Sequence, residues 1–316
     1  MKKFIDDLKQ ELSKRGMSEA EITEIIADHE EMISAAIQEG LSEEELVSKF
    51  GDPKHLADEL AGEAPKVKQD MDDAFSLWQE FTPTDGKQTV EVKLVSEDVE
   101  YYLTEKNQIE VYANRTKRLT PYQLSYDNGA LQLKRNKEVG IISFIPFRFG
   151  EVSFKIGFPM TMTIADFSHT SVNSDVEIAG IHAERFKLVT TNGDVQIDSA
   201  KLGDATWNTV NGDIQVHSSQ FKSIASTQVS GDFELHDSSI SETLKIHTVS
   251  GDAKIENCDC DLLDLESVSG DVVGKNLYPQ KASLKSVSGD ILICNQEQKP
   301  IQVIRSHSVS GEIQIQ

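Results

Sequence analysis

Aligned on a recurring glycine (Gly193, Gly212, Gly231, Gly251, Gly270, Gly289, Gly311), the second half of the chain resolves into columns of apolar and polar residues. The spacings are 19, 19, 20, 19, 19 and 22 residues, and Ser174 holds the same place one repeat earlier. A fixed period of this length is the signature of a solenoid. Two and four residues after each glycine stand apolar side chains, as in Ile214 and Val216 or Ile291 and Ile293, with mostly polar residues between them. That period of two predicts a strand with one face turned inward. Seven and five residues before glycine, pairs such as Phe186 and Leu188 or Leu263 and Leu265 predict a second strand. A third apolar column, nine after glycine, holds Leu202, Phe221, Ile240 and Cys260. The residues two before glycine, among them Val249, Val268 and Val287, are expected to be buried neighbours on successive coils. The N/S-G-D stretch between strands is turn chemistry. The fold expected is mainly β: a parallel β-solenoid, right-handed, with coils stacked about 4.8 Å apart. It spans residues 88–316 and is regular from about residue 166, after irregular β structure with a hairpin at Asn128-Gly129.

The first sixty residues have a different period. Phe4, Ile5, Leu8 and Leu12 share one helical face. Ser18 and Glu21 form a capping box, and Ile22, Ile25, Ile26, Met32, Ile33 and Ile37 continue at helical spacing up to Gly40. Ser42 and Glu45 repeat the box, and Asp52-Pro53 restarts a helix. Residues 1–62 are therefore expected to be a small helical module. Residues 63–87 form a bridge, in which Met71, Ala74, Phe75 and Trp78 fall at i, i+3, i+4, i+7 and predict an amphipathic helix docked on the β domain.

Charge narrows the partners. The chain has 316 residues and a net charge of −22. The helical module contributes −10 of it, from 7 Lys/Arg against 17 Asp/Glu through residue 64. Such a balance argues against nucleic acid, whose phosphates need Lys and Arg, and against anionic membrane surfaces. It favours a protein or cationic peptide as partner. A homo-oligomer is a further expectation. No secretory signal core is legible, and no apolar run approaches the roughly 18 residues of a membrane span. The cytoplasm is the default compartment, with association with the cell surface as the alternative. Three cysteines, an odd number, fit a reducing compartment.

These residues carry two resemblances. The helical stretch, with its ending FGDPKHLADEL, resembles the HAAS signalling module of bacteria. The serial V-S-G-D motif resembles the bacterial "putative adhesin" β-strand-repeat family, of unknown function. The combination is similar to Lia-type cell-envelope stress proteins of Gram-positive bacteria. It implies a binding or sensing role and carries over no catalytic residue.

Stacking the repeat places Asp175, Asp194, Asp213, Asp232, Asp252, Asp271, Asp290 and Glu312 in one column, a candidate acidic binding surface. The plain reading is that each carboxylate serves its own turn and faces water. Calcium is disfavoured, since it needs six to eight oxygens per ion and a denser repeat. His217 and His236 share an outward column without an evident third ligand, so no metal is assigned. Cys258 and Cys260 read as core filler, and Cys294 as an outward thiol. Phe144, Phe147 and Phe149 in FIPFRFG, with Trp78, are candidate apolar contacts, the loop being read first as a cap on the solenoid's open end. No serine-hydrolase elbow, zinc-protease motif or phosphate loop is present, and no cofactor is implied. A non-enzymatic binding or signalling protein is expected. The alternatives are a polysaccharide-binding or polysaccharide-active solenoid and a purely structural scaffold.

Overall fold

The computed structural model describes residues 2–15, 22, 26, 53–54, 57, 74–136 and 152–316, in two compact units. In the first unit a helix runs Lys2–Lys14. It buries Ile5, Leu8 and Leu12, and Ile22, Ile26 and Ala57 of the same unit are buried too. On its exposed side Glu11 pairs with Lys14 and Arg15, each at 2.7 Å. These two cations hold the Glu11 carboxyl down at about 2.

The second unit is a parallel β-solenoid of about eight turns, as the repeat predicts. One ladder stacks Ile164–Thr170, His182–Thr190, Lys201–Thr209, Gln220–Gln228 and Ser239–Thr248 in parallel. A second stacks Val176–Ala179, Val195–Asp198, Ile214–His217 and Phe233–His236. In later coils the two ladders run together in the continuous strands Ala253–Ser267 and Val272–Ser286. Large apolar side chains fill the interior, where Trp207 lies 6.4 Å from Phe186 and 6.2 Å from Phe233 between ring centroids. Cys258 and Cys260 are part of this core, and burial pushes their thiols up to about 11 and about 12.

Regular coiling starts earlier than the repeat suggests. Gln88–Lys93 lies parallel to Ile164–Thr170, and Val99–Thr104 lies parallel to Val176–Ala179. Residues 88–104 are thus the first coil, separated from the next by a long excursion. The excursion contains the expected hairpin, Tyr122–Asp127 with Ala130–Arg135, turning at Asn128 and Gly129 with φ of 49° and 80°. Buried Glu97 ties the excursion down. It accepts bonds from the Val95 and Ser96 amides at 2.6 and 3.0 Å, and from Tyr122 and Arg135 at 2.7 Å each.

Two expectations are corrected. Residues 76–81 form a strand, Ser76–Phe81, antiparallel to Ile109–Ala113, and not a helix. The half-buried Trp78 ring packs 5.9 Å from Phe154 at the end of the core. Strand pairing there prevails over the helical spacing, a tertiary override of a local pattern. The valines two before glycine are not core residues either: Val268 and Val287 are 38% and 46% exposed. Inward positions seven and five before glycine continue at period two to the third residue before it, which is buried Thr190, Thr209, Gln228, Thr248, Ser267 or Ser286. The valine is one step out of phase and faces solvent.

His169 is fully buried in the coil that follows the excursion, sharing a 2.7 Å hydrogen bond between Nδ1 and the Tyr101 hydroxyl. Burial lowers its pKa to about 3. An imidazole is charged below about 6.5 in an unfolded chain. The depressed folded value therefore contributes stability above that pH, which is lost as pH falls from about 6.5 toward 3. Acid titration of the melting temperature should show this decline, and His169→Phe should flatten it.

Candidate functional site

The S-V-S-G-D turn can be explained residue by residue. The first serine points inward and closes the turn: Ser267 and Ser286 donate to the carbonyls of Gly270 and Gly289, and Thr248 does the same to Gly251 at 2.9 Å. The valine points out. The second serine reaches back one coil, as Ser269 donates to the Val249 carbonyl at 2.9 Å and Ser288 to that of Val268 at 3.1 Å. Glycine lies against the preceding coil. A Cβ on Gly212 would stand 2.2 Å from the Gly193 carbonyl oxygen, and one on Gly270 would stand 1.9 Å from that of Gly251.

The aspartates form a ladder between coils. Each backbone amide donates to the carboxylate one coil back: Asp194 to Asp175 at 2.9 Å, Asp213 to Asp194 at 2.9 Å, and Asp232 to Asp213 at 2.8 Å. Asp252, Asp271, Asp290 and Glu312 continue the series at 2.9, 2.8, 2.8 and 2.7 Å. The carboxylate therefore serves the next coil's turn and not its own, a correction to the plain reading of the sequence. The series begins at Asp98, which accepts from Asp175 at 3.0 Å. Burial, first, and the neighbouring carboxylates Asp175 and Glu97 raise the pKa of Asp98. Sequence spacing hides this rung, because 77 residues separate it from the next. The only local signal is the D-V-E-Y of Asp98–Tyr101 beside the D-V-E-I of Asp175–Ile178.

All eight acidic residues of the candidate column are exposed, and the structure brings them together along one edge. Beside them runs the valine column, with Val172, Val210, Val229, Val268, Val287 and Val309 all exposed. Basic residues pair elsewhere, as Arg185 does with Asp166 and Lys285 with Glu266. Among the described residues none pairs with the column. Each rung uses one carboxylate oxygen for the ladder, leaving the other for solvent or a partner. The apolar contacts proposed with the column are not placed alongside it: Trp78 packs near the core, while Phe144, Phe147 and Phe149 lie outside the described residues. His217 and His236 stack with centroids 5.1 Å apart, and Glu234 and Glu256 lie 3.5 and 3.4 Å from the His236 ring nitrogens. Cys294, in the same column, is half-buried. Among the described residues no group of three or more side chains is arranged to hold a metal ion, and no helix is long and apolar enough to cross a membrane.

Comparison with known proteins places these features in context. The Toastrack DUF4097 model matches residues 88–242 and 227–316, and the HAAS model matches residues 3–59. No match was found among curated proteins. Among solved structures, a "Putative lipid binding protein" from Parabacteroides distasonis is 15% identical with a TM-score of 0.54, covering 76% of this chain and 95% of its own. A "putative adhesin" from Parabacteroides merdae is 12% identical with a TM-score of 0.48, covering 76% of this chain and 96% of its own. Another from Bacteroides fragilis is 14% identical with a TM-score of 0.41, covering 77% and 97%. At these identities the first likeness shows a shared fold.

Proposed function

Since the chain belongs to the Toastrack DUF4097 family, we propose that it is a non-enzymatic binding protein whose turn edge holds a cationic, amphipathic partner, a peptide or a basic protein segment. The supporting observation is the pairing of two exposed ladders on one edge. Valine and carboxylate stand three residues apart in every regular turn from Val210 to Glu312. The valines offer apolar area, and the free carboxylate oxygens repeat at coil spacing beside them. A single exposed ion pair contributes only about 0–1 kcal/mol, but a column can attract a polycation collectively. The absence of any hydrolase or phosphate-loop motif in the sequence supports a binding role over catalysis. In this reading the valine stripe replaces the Phe-rich loop and Trp78 as the apolar contact. The HAAS-like module then passes occupancy to a partner, as the resemblance to Lia-type envelope-stress proteins implies.

Calorimetric titration with a cationic amphipathic peptide tests this. Binding should weaken strongly with salt, because the Debye length falls from about 10 Å at 0.1 M to about 3 Å at 1 M. Replacing Asp213, Asp232 and Asp252 together by asparagine should weaken it at low salt and leave the fold standing, since the amide oxygen can accept the same ladder bonds. Affinity indifferent to both salt and the triple change would reject the reading.

A further inference from the structure

Away from the turn edge, the first ladder carries a groove of about 700 Å³ across successive coils. Its pairing is regular in the earlier coils, where Glu184 and Arg185 are two successive exposed residues, and slips by one residue after Phe221 and back again after Ser239. Leu202, Phe221 and Ile240 form the floor. One wall is a rung column, with His182, Lys201, Gln220 and Ser239 directly paired on consecutive coils. No side chain rises from Gly203, where a Cβ would stand 2.1 Å from the Glu184 carbonyl oxygen.

The charges facing this groove do not match the rest of the molecule. Glu184 is taken by Lys87 at 2.7 Å, and Lys222 by Asp204 at 3.3 Å and Glu242 at 3.8 Å. Lys201 and His182 are exposed and have no ion pair among the described residues, although the chain carries −22 overall. Asp259 closes the wall column beyond Ser239. The wall therefore presents an imidazole, an ammonium, an amide, a hydroxyl and, at its far end, the Asp259 carboxylate, at rungs about 4.8 Å apart.

We propose that this groove is a second binding site, for a linear glycan bearing carboxylate groups, lying parallel to the solenoid axis. A chain of linked sugar rings repeats at nearly the rung spacing, so successive hydroxyls meet successive rungs while one carboxylate meets Lys201 and His182. An acyl chain would leave the ammonium, imidazole and amide of the wall without partners.

The test is titration of the full chain with a short oligogalacturonate and, in parallel, with its neutral methyl ester. The oligogalacturonate should bind, the ester should bind at least about tenfold more weakly, and Lys201→Glu should lower affinity for the acid by a similar factor. Gln220→Trp, an exposed position beside the floor, should block both. Melting temperatures near the parent's would show that both variants fold. Equal affinity for acid and ester, affinity unchanged by both variants, or no binding of the acid would each overturn the proposal.

Discussion

Gly212→Ala should unfold the solenoid under conditions in which the parent is fully folded. Gly212 has φ of +127°, a region closed to alanine without strain, and its Cβ would lie 2.2 Å from the Gly193 carbonyl oxygen. That obstacle is backbone, held by ladders on both sides, so the coil cannot move away without breaking the bonds of the Asp213 and Asp194 rungs. The expected loss is about 4 kcal/mol or more, the range of severe lesions. Ser230→Ala, in the next turn, removes exposed hydrogen bonds and should cost about 1 kcal/mol. Thermal melts of the two variants separate close packing from hydrogen bonding as the reason for the repeated glycine.

Leu265→Asp and Val268→Asp should differ sharply although the positions are three apart. Leu265 is fully buried, and a carboxylate there loses its hydration without a partner, at a cost of about 4 kcal/mol or more. Val268 is 38% exposed at the turn, and an aspartate there keeps its water, so the change should stay within about 1 kcal/mol. Equal melting temperatures for the two would contradict the register of the structure.

The repeat made the coils legible because each inward column has its own period-two partner, as Val195 has Ile197 and Leu263 has Leu265. The turn was harder to read. Four residues separate the last inward position of one strand from the first of the next, as between Ser267 and Val272, and a valine there resembles a core residue by composition alone. The bonding of the aspartates was hidden for another reason: the amide that Asp213 satisfies belongs to Asp232, a relation between coils that no local turn rule describes. Asp98 lay beyond reach behind the excursion, and Trp78 sat in a short segment whose helical spacing carried less weight than its pairing with Ile109–Ala113. From Asp175 onward the acidic column was legible, since a carboxylate that recurs once per coil must stack. The groove was not, because its lining comes from short segments of successive coils, each unremarkable by itself.

The two ligand readings make opposite demands on one molecule, a cation at the turn edge and an anion at the groove, and amide hydrogen exchange can see both. The most direct measurement of the central claim is exchange on the full chain with and without a cationic amphipathic peptide at low salt. Protection should appear at the turns Val229–Asp232, Val249–Asp252 and Val268–Asp271, and should vanish at 1 M salt. Protection absent from these turns, or unchanged by salt, would contradict the binding role assigned to the valine and carboxylate ladders.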